Sequence, residues 1–188
     1  MFTKTILTAL LLAATAVPVA KASATAEDKP ALAAIDGLDL SRYQGRWFEI
    51  AKYPNRFQQK CVRDTSAEYA PQPDGTVRVV NSCRLASGEM DEAVGTARRT
   101  GESNSATLVV RFAPAWLSFL PWVWGNYWVI DIDADYQLVA VSEPTRTYLW
   151  ILARSPKVAP DAYAALLQRL QARGFDLGKL ERSLHQTD

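Results

Sequence analysis

From Gly45 to Arg154 the chain is a succession of short strand-like runs with turn residues between them, and that ladder constrains the fold more than any other feature. The runs are 45–53, 62–69, 76–84, 89–100, 106–112, 127–132, 136–142 and 148–154, most of them rich in β-branched and aromatic residues. Turn signals separate them at Pro73-Asp74-Gly75, from Gly101 to Ser105, and at Asp133-Ala134-Asp135. Eight consecutive antiparallel strands predict an all-β fold, an up-and-down barrel, because closure removes the edges that an open sheet exposes. A barrel of about eight strands encloses room for one small ligand.

The period changes after the last run. Tyr163, Leu166, Leu167 and Leu170 fall at helical spacing, Pro160 opens the segment, Asp161 suits its first turn and Gly174 ends it. One C-terminal α-helix packed outside the barrel is predicted, with residues 175–180 returning as a short edge strand. At the other end, Lys4, the apolar run 6–17 and the A-x-A sites Ala20-Lys21-Ala22 and Ala22-Ser23-Ala24 read as a signal peptide over residues 1–24. That run falls short of the roughly 20 residues that span a bilayer. Residues 25–37 read as a flexible lead-in, 38–182 as one barrel domain and 183–188 as a frayed tail. The chain is expected to be exported, to a periplasm first, and soluble. Both cysteines lie deep in the mature chain, which argues against an N-terminal lipid anchor.

Loss of the signal moves the formal charge from +1 to about −1, a balance that offers no electrostatic attraction for nucleic acid. His185 is the sole histidine, so no Ser–His–Asp or Cys–His arrangement and no histidine cluster for a metal can be assembled. No Gly-rich phosphate loop occurs either. A binding protein is therefore expected, not an enzyme, with no catalytic residue, cofactor or metal. Cys61 and Cys83 are about equidistant from the turn at Gln72 and Pro73, which should set them opposite each other on a hairpin. In an exported chain that pairing points to a disulfide. Two buried thiols, or a catalytic thiol, are the alternatives.

Three segments carry a family resemblance. Arg42-Tyr43-Gln44-Gly45-Arg46-Trp47-Phe48-Glu49-Ile50 resembles the first signature of the lipocalins. The run from Asn126 to Tyr136 resembles the second, with Asp133 and Tyr136 around a turn, and Tyr148-Leu149-Trp150-Ile151-Leu152-Ala153-Arg154 the third. The three in order look most like the bacterial lipocalins related to apolipoprotein D. The resemblance implies that Arg154 lies across Trp47 and closes the barrel's base, a cation–π contact strengthened by shielding from water. Gly45, Trp47, Asp133, Tyr136 and Arg154 are thus expected to be structural.

Strand alternation then assigns a pocket. With Trp47 inward, Glu49 and Ala51 point inward; with Arg154 inward, so do Leu152, Trp150 and Tyr148. Tyr127 and Val129 share a face, as do Val77, Val79 and Asn81. The family register implies Leu108, Val110 and Phe112 as apolar wall, and the resemblance places Tyr127 and Trp150 against an acyl chain. The candidate ligand-binding residues are Glu49, Ala51, Val79, Asn81, Val110, Phe112, Tyr127, Val129, Tyr148 and Trp150. An inward carboxylate needs a partner. For Glu49 an internal hydrogen bond is favoured over a ligand headgroup, and Asp131 is assigned Arg99. Residues 113–124 hold Trp116, Leu117, Phe119, Leu120, Trp122 and Trp124 between two prolines, and read as a lid, a membrane contact or an oligomer interface. Nothing in the sequence selects an oligomeric state. The expected ligand is a fatty acid, lysophospholipid or similar lipid, transported or stored in the cell envelope. The alternatives are a pigment or haem, or an enzyme that acts on lipid or peroxide through a free cysteine.

Overall fold

A computed structural model describes residues 30–186; the expected signal peptide lies outside them. A single helical turn, α1 (Leu40–Tyr43), leads into eight antiparallel strands. These are β1 (Gly45–Lys52), β2 (Cys61–Pro71), β3 (Val77–Leu85), β4 (Met90–Arg99), β5 (Thr107–Arg111), β6 (Gly125–Ile132), β7 (Leu138–Ser142) and β8 (Leu149–Ala153). Each strand pairs with the next, and β1 pairs with both β8 and β2, so the barrel is closed. The helix α2 (Pro160–Ala172) follows, then a 3₁₀ turn at Leu177–Lys179 and a ninth short strand, β9 (Glu181–Arg182). The eight runs read from the sequence are the eight strands, with ends shifted by a few residues.

Alternation divides the apolar residues into two cores. Trp47, Tyr69, Val79, Leu108, Val129, Val141 and Leu152 fill the barrel's inside. Ile50, Ile130, Leu149 and Ile151 face outward and are covered by Leu166 and Leu170 of α2, both fully buried. Pro160 starts α2 with a pre-set φ, and Gly174 (φ +83°) ends it, letting the Phe175 N–H reach the Leu170 carbonyl (3.1 Å).

Two bulges break the alternation and correct two inward assignments. In β1, Glu49 faces Leu152 but Ala51 faces Ile151, so Ile50 is the extra residue. Ala51 is thereby turned outward, under α2. In β6, Val129 faces Val141 while Asp131 faces Ala140, so Ile130 is extra and Asp131 turns outward as well. There it meets Arg169 of α2 in a bidentate pair of 2.8 and 2.9 Å, not Arg99. Arg99 donates instead to the carbonyls of Leu38 and Ser103. Arg169→Leu would leave the nearly buried Asp131 carboxylate unpaired and is expected to lower stability by about 2 kcal/mol, below the range for fully buried pairs because Arg169 is half exposed. The double variant Asp131→Leu/Arg169→Leu should recover most of that loss in urea unfolding; a double variant weaker than Arg169→Leu would contradict the assignment.

Three further expectations are corrected. The returning segment is not a strand over 175–180, because the Asp176 carboxylate accepts from Gly178 N (3.0 Å) and curls the chain into the 3₁₀ turn. The strand forms later, as Arg182 and Glu181 pair with Ala51 and Lys52. The lead-in is docked from Leu32 onward: Leu32 is buried in the outer core, and Ile35 N donates to Val129 O (2.9 Å). The tail is not frayed through Gln186. Ser183 N donates to Ile50 O (3.0 Å), His185 Nε2–H to Glu49 O (2.6 Å), Asp64 N to Leu184 O (2.8 Å) and Gln186 N to Asp64 Oδ1 (2.7 Å). Residues 183–186 thus bridge β1 and β2 where their own pairing has stopped, beyond Phe48 and Ser66.

Cys61 and Cys83 are joined by a disulfide, with Cα atoms 5.5 Å apart. They are not direct cross-strand partners: Cys61 stands opposite Leu85, because β2 is irregular between Cys61 and Ser66, with Asp64 at φ +56°.

Candidate functional site

The site is the barrel's interior, closed at one end. Asp39 caps α1 by accepting from Ser41 N (2.8 Å), and Gly45 (φ +88°) turns the chain directly into β1. That conformation strains any residue with a side chain, and a Cβ there would sit 3.5 Å from Arg154 Nη1. Trp47 is fully buried and donates its indole N–H to the Tyr43 carbonyl (2.8 Å). The Arg154 guanidinium lies 3.9 Å from the Trp47 ring centroid and donates to the carbonyls of Arg42 (2.6 Å) and Arg46 (2.9 Å). Asp133 holds the β6–β7 turn by accepting from Gln137 N (2.7 Å) and Leu138 N (2.5 Å). Tyr136, in the left-handed region at φ +58°, accepts at its hydroxyl from Asp39 N (3.1 Å) and packs under Arg42. These five residues, read as structural from the sequence, assemble the closed end.

Above that floor is a cavity of about 940 Å³, in the upper part of the ~300–1,000 Å³ usual for small-molecule sites. Of the ten candidate ligand-binding residues, Glu49, Val79, Asn81, Val110, Phe112, Tyr127, Tyr148 and Trp150 line it. Val129 belongs to the inner core but lies off the cavity wall, and Ala51 is outside. Phe112 owes its place to Gly95: a Cβ there would come within 2.7 Å of the Phe112 ring and 2.8 Å of the Arg111 carbonyl, so only glycine lets the ring lie against β4.

Glu49 has both oxygens engaged within the protein. Gln58 Nε2 donates to one (2.5 Å) and the Ser183 hydroxyl to the other (2.6 Å). Gln58 Oε1 in turn accepts from Trp150 Nε1 (2.9 Å) and from Asn55 Nδ2 (2.7 Å), which ties the first hairpin loop over the mouth. Phe57 of that loop contacts Tyr148, which stacks on Trp150 at 5.7 Å. Gln58 and Ser183 carry no sequence signal for this role, since both reach Glu49 from irregular chain.

Three tyrosines meet deeper in the cavity. The Tyr127 hydroxyl lies 2.6 Å from that of Tyr43 and 2.8 Å from that of Tyr69. Burial pushes all three phenols up, Tyr43 and Tyr127 well above the ordinary tyrosine range and Tyr69 to about 12, so each stays protonated at neutral pH. Neither Tyr43 nor Tyr69 is among the pocket residues expected from the sequence; alternation along β2 could have found Tyr69, whereas Tyr43 lies in a single helical turn.

The tryptophan-rich connection makes two 3₁₀ turns, Ala115–Leu117 and Pro121–Val123. Trp124 anchors it, between the guanidinium groups of Arg98 (4.4 Å) and Arg111 (5.2 Å) and donating to the Ser118 carbonyl (2.9 Å). Trp116, Phe119 and Trp122 stand 73–78% exposed beside the mouth, and Trp122, Val123 and Trp124 border the cavity there. A cysteine-based reaction would need a free thiol at Cys61 or Cys83, and both are in the disulfide.

Comparison with known proteins agrees with this geometry. Residues 38–185 match the family described as a lipocalin-like domain. The chain is 39% identical over 158 residues to temperature-induced lipocalin-1 of Arabidopsis thaliana, covering 83% of this chain and 84% of that protein. It is 32% identical over 171 residues to the outer membrane lipoprotein Blc of Escherichia coli (strain K12), covering 90% and 92%. Apolipoprotein D of Mus musculus is 29% identical over 152 residues, covering 77% and 76%. Among solved structures, insecticyanin from the tobacco hornworm Manduca sexta shares the fold at 18% identity, with a TM-score of 0.61 over 80% of this chain and 82% of that one. A match that runs from α1 through the docked tail, with the closed end and the ligand-sized interior built by the same segments, places this chain in the lipocalin family, whose barrels bind hydrophobic ligands.

Proposed function

We propose that this lipocalin carries an acyl lipid, a fatty acid or lysophospholipid, and collects or delivers it at a membrane of the cell envelope. The observation that carries the reading is the cavity of about 940 Å³, walled by Val79, Leu108, Val110 and Leu152, with Tyr43 and Tyr69 deep within it and Tyr148 and Trp150 stacked near its entrance. Burial of an acyl chain there gains about 0.8 kcal/mol per methylene before ordering costs. Trp116, Phe119 and Trp122 give the rim three large apolar groups of the kind that settle at a bilayer interface. Export, to a periplasm, is supported by the disulfide, and the printed name of the Blc relatives supports an envelope setting. Neither of the chain's two cysteines is free to carry an acyl anchor.

Native mass spectrometry of protein purified without detergent, followed by lipid extraction, tests the cargo. A stoichiometric acyl lipid that is lost in Trp150→Ala supports the carrier reading. An empty barrel that takes up neither palmitate nor lysophosphatidylcholine would sink it. Vesicle flotation tests the rim: the double variant Trp116→Ser/Phe119→Ser, at residues off the cavity wall, should lose vesicle binding while keeping cargo affinity.

A further inference from the structure

Trp124, at the root of the tryptophan-rich connection, carries two cations. The guanidinium groups of Arg98 and Arg111 lie over its ring, 4.4 and 5.2 Å from the centroid. The two charges are therefore within about 10 Å of each other, no more than a screening length in ordinary salt. Neither arginine forms an ion pair among the described residues. The strand register gives the reason. On the barrel's outer face Arg98 stands opposite Val109, and Val109 opposite Asn126. Arg111 stands opposite Thr96, and Thr96 opposite Arg78. None of these neighbours is acidic, and one is a third arginine.

Arg111 is the less comfortable of the pair. It is 8% exposed, its Nη1 donates to the Ala113 carbonyl, and its Nε is buried with no hydrogen-bond partner among the described residues. A guanidinium so placed, without a counter-charge, is stabilised by an anion that reaches it. One cation is enough to hold an indole face. A second of the same sign adds repulsion, which an anion beside the two relieves.

The position of the pair indicates the kind of anion. Arg111 holds Ala113 at the start of the connection, and Trp124, at its end, donates to the Ser118 carbonyl (2.9 Å). The same segment carries Trp116 and Phe119, 73% and 74% exposed. Rings of this type settle at the level of lipid headgroups, where a cation at the root of the segment meets phosphates. Planar guanidinium groups take a phosphate through paired N–H donors.

We propose that Arg98 and Arg111, over Trp124, form a headgroup site for an anionic phospholipid, so that the barrel docks on negatively charged bilayers in preference to zwitterionic ones. The site is separate from the cargo cavity, whose lining includes neither arginine. It rests on the membrane-contact reading of the rim above and specifies the charge of the surface.

Flotation of the full chain compares vesicles of phosphatidylcholine alone with vesicles in which about a third of the lipid is phosphatidylglycerol, and affinity should be about tenfold or more higher for the second. Arg98→Gln, at an exposed residue, should weaken binding to the anionic vesicles about fivefold, the worth of one basic residue near a charged surface. Its binding to phosphatidylcholine vesicles should be unchanged. Lys157→Gln removes the same charge from an exposed residue of the β8–α2 connection and should alter neither. A purely structural role for Arg98 would instead weaken binding to both kinds of vesicle alike. Equal affinity for the two surfaces, or a preference that survives in Arg98→Gln, would overturn the headgroup site and leave the rim as a membrane contact. Inorganic phosphate bound by the free protein and lost in Arg98→Gln, with no preference between the vesicles, would assign the pair to the soluble ion instead. Binding to neither kind of vesicle would overturn the rim and the site together.

Discussion

Trp47→Ala is expected to destabilise the protein by about 3–5 kcal/mol, the usual loss for truncating a buried tryptophan. The ring is fully buried and sits at the junction of three supports. It packs 5.0 Å from the Tyr43 ring, its N–H satisfies the Tyr43 carbonyl, and its face seats Arg154. Removing it also unseats that guanidinium, whose other bonds hold α1 and the start of β1 through the carbonyls of Arg42 and Arg46. Urea unfolding should show a lower midpoint with little change in slope, since the surface exposed on unfolding stays nearly the same. Trp47→Phe keeps most of the apolar volume but loses the donor, and should cost about 1–2 kcal/mol. If Trp47→Ala unfolds within about 1 kcal/mol of the parent, the closed end is held by something other than this ring.

Strand count, strand order and the outer helix could be read from the chain because each depends on local chemistry: alternation along a run, turn residues between runs, and a 3.6-residue period after Pro160. The closed end was legible for a different reason, since Gly45, Trp47 and Arg154 occur in recognisable segments. The two failures at Ala51 and Asp131 share one cause. A bulge adds a single residue, here Ile50 and Ile130, and shifts every later side chain to the opposite face, yet an isoleucine that bulges looks in sequence like one that does not. The tail was misread because its order comes from contacts far along the chain. Ser183 and His185 bond to Ile50 and Glu49, more than 130 residues earlier, and nothing periodic in 183–186 announces it. The tyrosine cluster falls between these cases: Tyr127 was marked as a wall residue, but that its hydroxyl joins Tyr43 and Tyr69 depends on where three separate elements cross.

Removing the disulfide, as Cys61→Ala/Cys83→Ala, is expected to lower stability by about 3 kcal/mol, given the 22-residue separation of the two cysteines. The loss should be concentrated at the mouth. From Cys61 to Thr65 the strand β2 has no ladder with β1, and its register against β3 shifts twice. Besides that broken ladder and the Arg84–Asp64 ion pair (2.8 Å), the segment is held by the disulfide to β3 on one side and by the tail, through Leu184 and Gln186 to Asp64, on the other. Without the disulfide, amides of 61–65 should exchange with solvent faster by opening locally, while those of 67–69, paired on both sides, should follow global unfolding. Cargo should then leave faster, because Cys61, Thr65 and Cys83 all border the cavity. A double variant whose 61–65 amides remain as protected as in the parent would show that the tail and the Arg84–Asp64 pair secure this seam without the disulfide. A large local effect would instead make the barrel's integrity depend on an oxidised cysteine pair, a dependence a protein can sustain in an exported setting and would lose in a reducing one.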